Sequence, residues 1–148
     1  MTGASYGSPI TSEHLFEALE YLEDWEDRYR FILDLGRKLP EMPEEAKNES
    51  NFVHGCQSRV WVQLIETDGV GSAVQLQADS DAFIVKGLAA MVVVIMAGRS
   101  AAEIVAHDLE SDFTRLGLHE HLSPTRSNGL HGMVTQVKSR AAAMVAAG

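Results

Sequence analysis

One cysteine, Cys56, is all the thiol that this chain of 148 residues holds. A lone thiol closes no internal disulfide, so no disulfide scaffold supports the fold. Basic residues are scarce as well: 12 Lys and Arg stand against 21 Asp and Glu, a net charge of −9. Phosphate backbones and anionic lipid surfaces are held by clustered cations, so neither nucleic acid nor a membrane is expected as a partner. The acidic balance keeps a chain soluble, and it also suits a protein partner with a basic patch. A long hydrophobic run is missing too. The most apolar stretch, residues 82–96, carries Lys86 and falls short of the roughly 20 apolar residues that cross a bilayer. The opening residues have no basic region followed by an apolar one, so no signal peptide is expected. A free thiol without a leader fits the reducing cytoplasm.

What is present is the composition of one ordinary globular domain, 45% apolar and 22% charged. Residues 1–10 are small and turn-forming and read as a disordered tail; residues 11–148 read as a single domain without repeat or linker. Thr11 or Ser12 caps a first helix with Leu15, Leu19 and Leu22 on one stripe. Asp24 starts a second, with Trp25, Tyr29, Ile32 and Leu33 at helical spacing, and Gly36 and Pro40 are expected to end it. Residues 39–51 read as a loop with at most one helical turn. Then the period changes to two. Val60, Val62 and Leu64 alternate with Trp61, Gln63 and Ile65, and after a Gly-rich link Val74, Leu76 and Ala78 alternate with Gln75 and Gln77, which predicts an antiparallel hairpin. A hairpin alone is marginal, and residues 51–54 are placed to add a short third strand. Asp79-Ser80-Asp81 is expected to cap a central buried helix over 82–96. Ser100 and Glu103 form a capping box, a short helix holds Phe113 and Leu116 up to Gly117, and Ser123-Pro124 opens a final helix. That helix carries Leu130, Val134, Val137, Ala141 and Met144 on one face.

Cys56 falls in His54-Gly55-Cys56-Gln57-Ser58, between a proline-containing loop and the first hairpin strand. A free cysteine is often only a small buried hydrophobe. Two features favour a functional one: Gly55 leaves the backbone beside the thiol uncrowded, and functional groups concentrate on loops.

Val53-His54-Gly55-Cys56-Gln57-Ser58-Arg59-Val60-Trp61 resembles the G-C-Q-S-x-V-W signature of the SufE family of sulfur acceptors. Asp79 to Leu88 resembles that family's D-S-D-A-x-I-V-K-G block, and His121 to Leu130 its H-L-[ST]-P-[ST]-R-S-x-G-L block. Trp25-Glu26-Asp27-Arg28-Tyr29 and Leu35 to Pro40 fit as well, so the resemblance covers about residues 12 to 145. It implies an α+β fold similar to that of the IscU scaffold proteins, with helices packed on a small antiparallel sheet. It implies that Cys56 takes sulfane sulfur from a SufS/CsdA-type cysteine desulfurase, activates that enzyme, and passes the sulfur toward an iron–sulfur scaffold such as the SufBCD complex. The desulfurase uses pyridoxal phosphate; this chain is expected to use no cofactor and to act as a covalent carrier rather than a stand-alone enzyme. Gly55, Gln57, Asp81 and Arg126 are the expected supporting or partner-facing residues, with Asp81 and Arg126 brought near Cys56 in space.

Other groups invite other chemistry. His54, two residues from Cys56, is a possible base for the thiol, but an i, i+2 pair meets only when the backbone forces it. Arg126 in a first helical turn opposes the helix dipole, which suggests a task such as pairing with a carboxylate or attracting a thiolate. Lys86 either reaches the surface or pairs with an acid. His119-Glu120-His121, with His107, is a weak pattern for a metal. Two other function classes follow: an independent cysteine enzyme, which needs a base and an orienting group at Cys56, and a metal-binding adaptor built on the histidines.

Overall fold

The structure is a computed structural model and describes residues 10–54, 58–66 and 73–147. The tail expected at 1–10 therefore lies outside the described residues except for Ile10, and so does the hairpin tip at 67–72. In chain order the elements are α1 (Ser12–Tyr21), α2 (Trp25–Lys38), β1 (Val60–Glu66), β2 (Val74–Ser80), α3 (Phe83–Met96), α4 (Ala101–Ala106), α5 (Leu109–Arg115), α6 (Leu118–His121) and α7 (Pro124–Ala147). Two single 3₁₀ turns, Glu44–Ala46 and Glu49–Asn51, punctuate the segment between α2 and β1. The expected α+β architecture is what forms: helices packed on a small antiparallel sheet.

Local chemistry starts most of the helices. The Thr11 side chain accepts from His14 N–H at the head of α1, and Asp24 accepts from Glu26 N–H at the head of α2. Ser100 and Glu103 make the reciprocal capping box of α4. The Ser123 hydroxyl accepts from Arg126 N–H, and Pro124, which has no N–H to leave unpaired, begins α7. Gly117 takes φ of +70°, a left-handed conformation that closes α5 and costs glycine nothing.

Helix α3 is the centre. Twelve of its fourteen residues are buried. Its run Val92-Val93-Val94-Ile95 is β-branched and by propensity favours strand, yet apolar neighbours on every side hold it helical. One face meets the hairpin. In the ladder Val62 pairs with Ala78 and Leu64 with Leu76, and Val60, Val62, Leu64, Val74, Leu76 and Ala78 are all buried in the core shared with α3. Leu130, Met133, Val134, Val137 and Ala141 of α7 close the same core, with Met144 at its margin.

Two expectations change here. Gly36 does not end α2: it lies inside the helix, buried, because α2 and α3 touch backbone to backbone at that point. A Cβ on Gly36 would stand 2.7 Å from the Gly87 nitrogen, and one on Gly87 only 2.4 Å from the Ile32 carbonyl oxygen. The helix stops at Leu39 instead, whose extended backbone is what the following Pro40 imposes. The third strand at 51–54 shrinks to one bridge between Phe52 and Trp61, so the sheet among the described residues has two strands. The 3₁₀ turn ending at Asn51 leaves too little extended chain for more.

The glycine contact yields a direct test. Gly87→Ala pushes a methyl group into the α2 backbone, and overpacking of this kind costs about 1–3 kcal/mol. Urea denaturation is expected to show that loss, whereas Gly132→Ala, on the partly exposed side of α7, is expected to leave stability unchanged or raise it.

Candidate functional site

The chain enters and leaves the cysteine segment at one place. Val53 N–H donates to the Val60 carbonyl at 2.8 Å. Helix α7 holds the incoming limb: Gln136 Nε2 donates to the Asn51 and Phe52 carbonyls, both at 3.2 Å, and Arg140 reaches Asn51 Oδ1 at 3.4 Å. The start of α3 holds the outgoing limb: Arg59 N–H donates to Asp81 Oδ1 at 3.0 Å, and Asp81 N–H returns a bond to the Arg59 carbonyl at 3.2 Å. Gly55, Cys56 and Gln57, between these limbs in the chain, lie outside the described residues.

Asp81 is therefore a tether rather than a helix cap. No side chain caps α3 at Ala82; the Ser80 hydroxyl instead accepts from Ala82 N–H within the turn. Asp79 departs further from the capping role expected of Asp79-Ser80-Asp81. It is 4% exposed and gathers four donors: Ser80 N–H at 2.8 Å, Lys86 Nζ at 3.3 Å, Lys47 Nζ at 3.4 Å and Met42 N–H at 3.5 Å. Burial works to raise its pKa, but the Ser80 hydrogen bond and the two ammonium groups outweigh it and hold the carboxyl below the usual range. Desolvation likewise disfavours the charged form of Lys47, and Asp79 overrides it, so Lys47 stays above its ordinary value. This cluster pins residues 42–47 onto the hairpin and α3, and it answers what Lys86 is for. An ammonium in an otherwise apolar helix was the available sign that a buried acid had to be near.

Beside the outgoing limb is a cavity of about 420 Å³. Ser58, Ala82, Ile84 and Val85 line one side, and Ser123, Thr125, Arg126 and Gly129 the other. The first turns of α3 and α7 thus converge, and the positive end of a helix dipole favours an anion there. Arg126 adds a full charge. Its Nη1 donates to the Tyr29 hydroxyl at 2.6 Å, with the guanidinium 5.9 Å from the Tyr29 ring centre. Among the described residues its hydrogen-bond partner is this phenol, not the carboxylate that the sequence left open. Tyr29, missed as a site residue, holds Arg126 at the rim. Its place on the partly buried face of α2 was legible; its partner, 97 residues away in the chain, was not.

The histidines go elsewhere. His54 is 69% exposed in its side chain, with Nε2 2.8 Å from a Glu49 carboxylate oxygen. His121 stacks on Trp25 at 4.2 Å between ring centres. His107 sits 2.5 Å from Asp112. The side chain of His119 is outside the described residues, and among those described no cluster of three or more His, Cys, Asp or Glu is placed to hold a metal. No helix among the described residues is long and apolar enough to cross a membrane.

Comparisons with known proteins show the family and the fold. The family model described as "SufE: Fe-S metabolism associated domain" matches residues 13–141. An uncharacterised SufE-like protein of Rhizobium meliloti strain 1021 is 42% identical over 130 residues, which cover 87% of this chain and 93% of the relative. Another from Rhizobium etli is 41% identical over 136 residues, 91% of this chain and 92% of that one. A hypothetical protein of Thermus thermophilus, solved in solution, shares the fold with a TM-score of 0.74 over 91% of this chain and 96% of its own, at 22% identity. Fold and family model together define an α+β domain associated with iron–sulfur metabolism. Within that class, the chain belongs to the SufE family.

Asp79→Asn tests the buried cluster. Losing a charge-assisted network of this kind is expected to cost about 2 kcal/mol at neutral pH. Because the folded-state pKa is depressed, the stabilisation is fully present above the ordinary carboxylate value of about 4 and is lost as pH falls through the lower folded value. Urea titrations of both proteins across that range are expected to converge at the acid end.

Proposed function

We propose that this chain accepts sulfane sulfur on Cys56 from the persulfide of a SufS/CsdA-type cysteine desulfurase, stimulates that enzyme by doing so, and hands the sulfur toward iron–sulfur assembly, for which a SufBCD-type scaffold is the natural recipient. The transfer is an exchange. The Cys56 thiolate attacks the terminal sulfur of the donor persulfide, a new S–S bond forms, the old one breaks, and the donor cysteine leaves as a thiolate. Two thiols and one sulfane sulfur enter and the same leave, so no oxidant or reductant is consumed. Pyridoxal phosphate belongs to the donor enzyme, and the carrier's own step calls for no cofactor.

The observation that carries this reading is the cavity beside the cysteine segment. Ser58, two residues from Cys56, lines it, and two peptide units span at most roughly 7 Å. Ile84 and Val85 offer apolar cover from reductants, while Arg126 and the first turns of α3 and α7 favour a sulfur anion. An attacking thiolate needs that stabilisation and not a base held in a triad. The placement of His54 against Glu49 accords with this and offers little to an independent cysteine hydrolase. Gly55 and Gln57 are the thiol's neighbours in the chain, and Asp81 fixes the outgoing limb at Arg59.

The deciding experiment incubates the protein with desulfurase and cysteine and weighs it. The wild type is expected to gain one sulfur atom that a reductant removes, and Cys56→Ser to gain none and to lose the stimulation of desulfurase turnover. A Ser variant that still stimulates fully rules Cys56 out as the acceptor. Arg126→Glu tests the electrostatics. Alkylation of Cys56 in the isolated protein is expected to slow about tenfold, the equivalent of one pKa unit in the thiol. An unchanged rate removes Arg126 from the account.

A further inference from the structure

Helix α3 buries nearly everything it has, yet its first residue does the reverse. Phe83 is 77% exposed. A phenyl ring has no polar group to give water a partner, so leaving it out forfeits burial that the rest of this helix exploits. The other heavily exposed aromatic among the described residues, Tyr21 at 84%, carries a hydroxyl and sits at the far end of α1. Phe83 is different in position as well. Both its chain neighbours, Ala82 and Ile84, line the cavity beside the cysteine segment, and the exposed Asp81 two residues earlier ties down the segment's outgoing limb. In the D-S-D-A-x-I-V-K-G pattern Phe83 stands at the free position, so the pattern itself does not call for an aromatic there.

We propose that Phe83 is the apolar anchor by which this chain docks on the protein that delivers its sulfur, inserting into an apolar pocket beside the donor's persulfide cysteine. The inference rests on Cys56 being the acceptor. Two sulfurs exchange only in contact, so the donor's surface must come over the limbs that carry Cys56, and Phe83 follows by two residues the Asp81 that ties down the outgoing limb. An exposed aromatic at the centre of a contact, shielded from water by its surroundings, is the kind of side chain that dominates binding energy. The charge of −9, with Asp81 exposed two residues before Phe83, makes a basic margin around the donor's pocket the complement. Arg126 lines the cavity and is assigned to the sulfur, whereas the exposed Phe83 is outside that lining and is assigned to the partner, so the two are separable.

The test titrates a pyridoxal-phosphate cysteine desulfurase with wild type, Phe83→Ala and Phe83→Leu and reads turnover. For Phe83→Ala the concentration giving half-maximal activation is expected to rise by about tenfold or more, with an unchanged plateau, an unchanged melting temperature and unchanged alkylation of Cys56. Phe83→Leu is expected to recover most of the loss. A half-maximal concentration that stays put for Phe83→Ala overturns the anchor. A lowered plateau at the same half-maximal concentration does so too, because it places the ring in the chemistry. A dimer of this chain that Phe83→Ala dissociates assigns the ring to self-association and also overturns it. Direct calorimetric binding to the desulfurase, run with Cys56→Ser in parallel, separates the two ideas. If Cys56→Ser still activates while Phe83→Ala binds weakly, the acceptor reading falls and the docking role stands.

Discussion

The close approach of α2 and α3 at Gly36 and Gly87 sets the distances on which the rest of the molecule depends. With no Cβ on either side the helices meet backbone to backbone, and α2 comes to rest on an α3 that is buried along most of its length. That one crossing brings Tyr29 of α2 to the start of α7, where its hydroxyl receives Arg126. It also fixes the start of α3, so that Ala82, Ile84 and Val85 face the first turn of α7 across a cavity. A side chain at either glycine would separate the helices and displace Arg126 from the sulfur-binding position proposed for it.

Around this frame the polar interactions divide into two kinds. The buried carboxylate of Asp79 has its donors gathered from the 42–47 segment, from the neighbouring backbone and from α3. Satisfied in that way, it rigidifies three parts of the chain at once; unsatisfied, it would be a heavy penalty. The second kind is the exposed pairing typified by Arg30 with Asp27 and Arg37 with Asp34, neighbours along one helix, which adds little to stability. The two limbs that lead into and out of the cysteine segment are held by the Val53–Val60 backbone bond, by Asp81 at Arg59 and by Gln136 at Asn51 and Phe52.

The chemistry proposed for Cys56 sets few demands on its surroundings. Persulfide exchange needs an anionic sulfur, shelter and a partner, and none of these requires a metal or a catalytic triad. Positive potential at the cavity comes from backbone dipoles and one arginine, sources that do not compete with Cys56 as nucleophiles. The chain as a whole carries a net charge of −9, so the proposed thiolate depends on these local sources of positive potential.

The helices with local start signals were legible from the sequence, because capping and turn chemistry act within a few residues: Ser100 with Glu103, Ser123 before Pro124, Gly117 after α5. The alternation of Val60, Val62 and Leu64 against Val74, Leu76 and Ala78 likewise predicted the hairpin, since period two admits one buried face. The family was legible as motif blocks. Tertiary structure alone decided the rest. Gly36 looked like a helix end because glycine usually breaks helices, and only the facing Gly87 shows why it is inside one. Asp79 and Asp81 looked like alternative caps for the same helix, and only the folded chain sends one to Lys47 and Lys86 and the other to Arg59. Arg126 showed itself as an unfavourable charge in a first turn, but its partner Tyr29 lies 97 residues away, and no local rule reaches across that distance. Periodicity and capping are written in neighbours; contacts between distant backbones and buried charges exist only once the helices have packed.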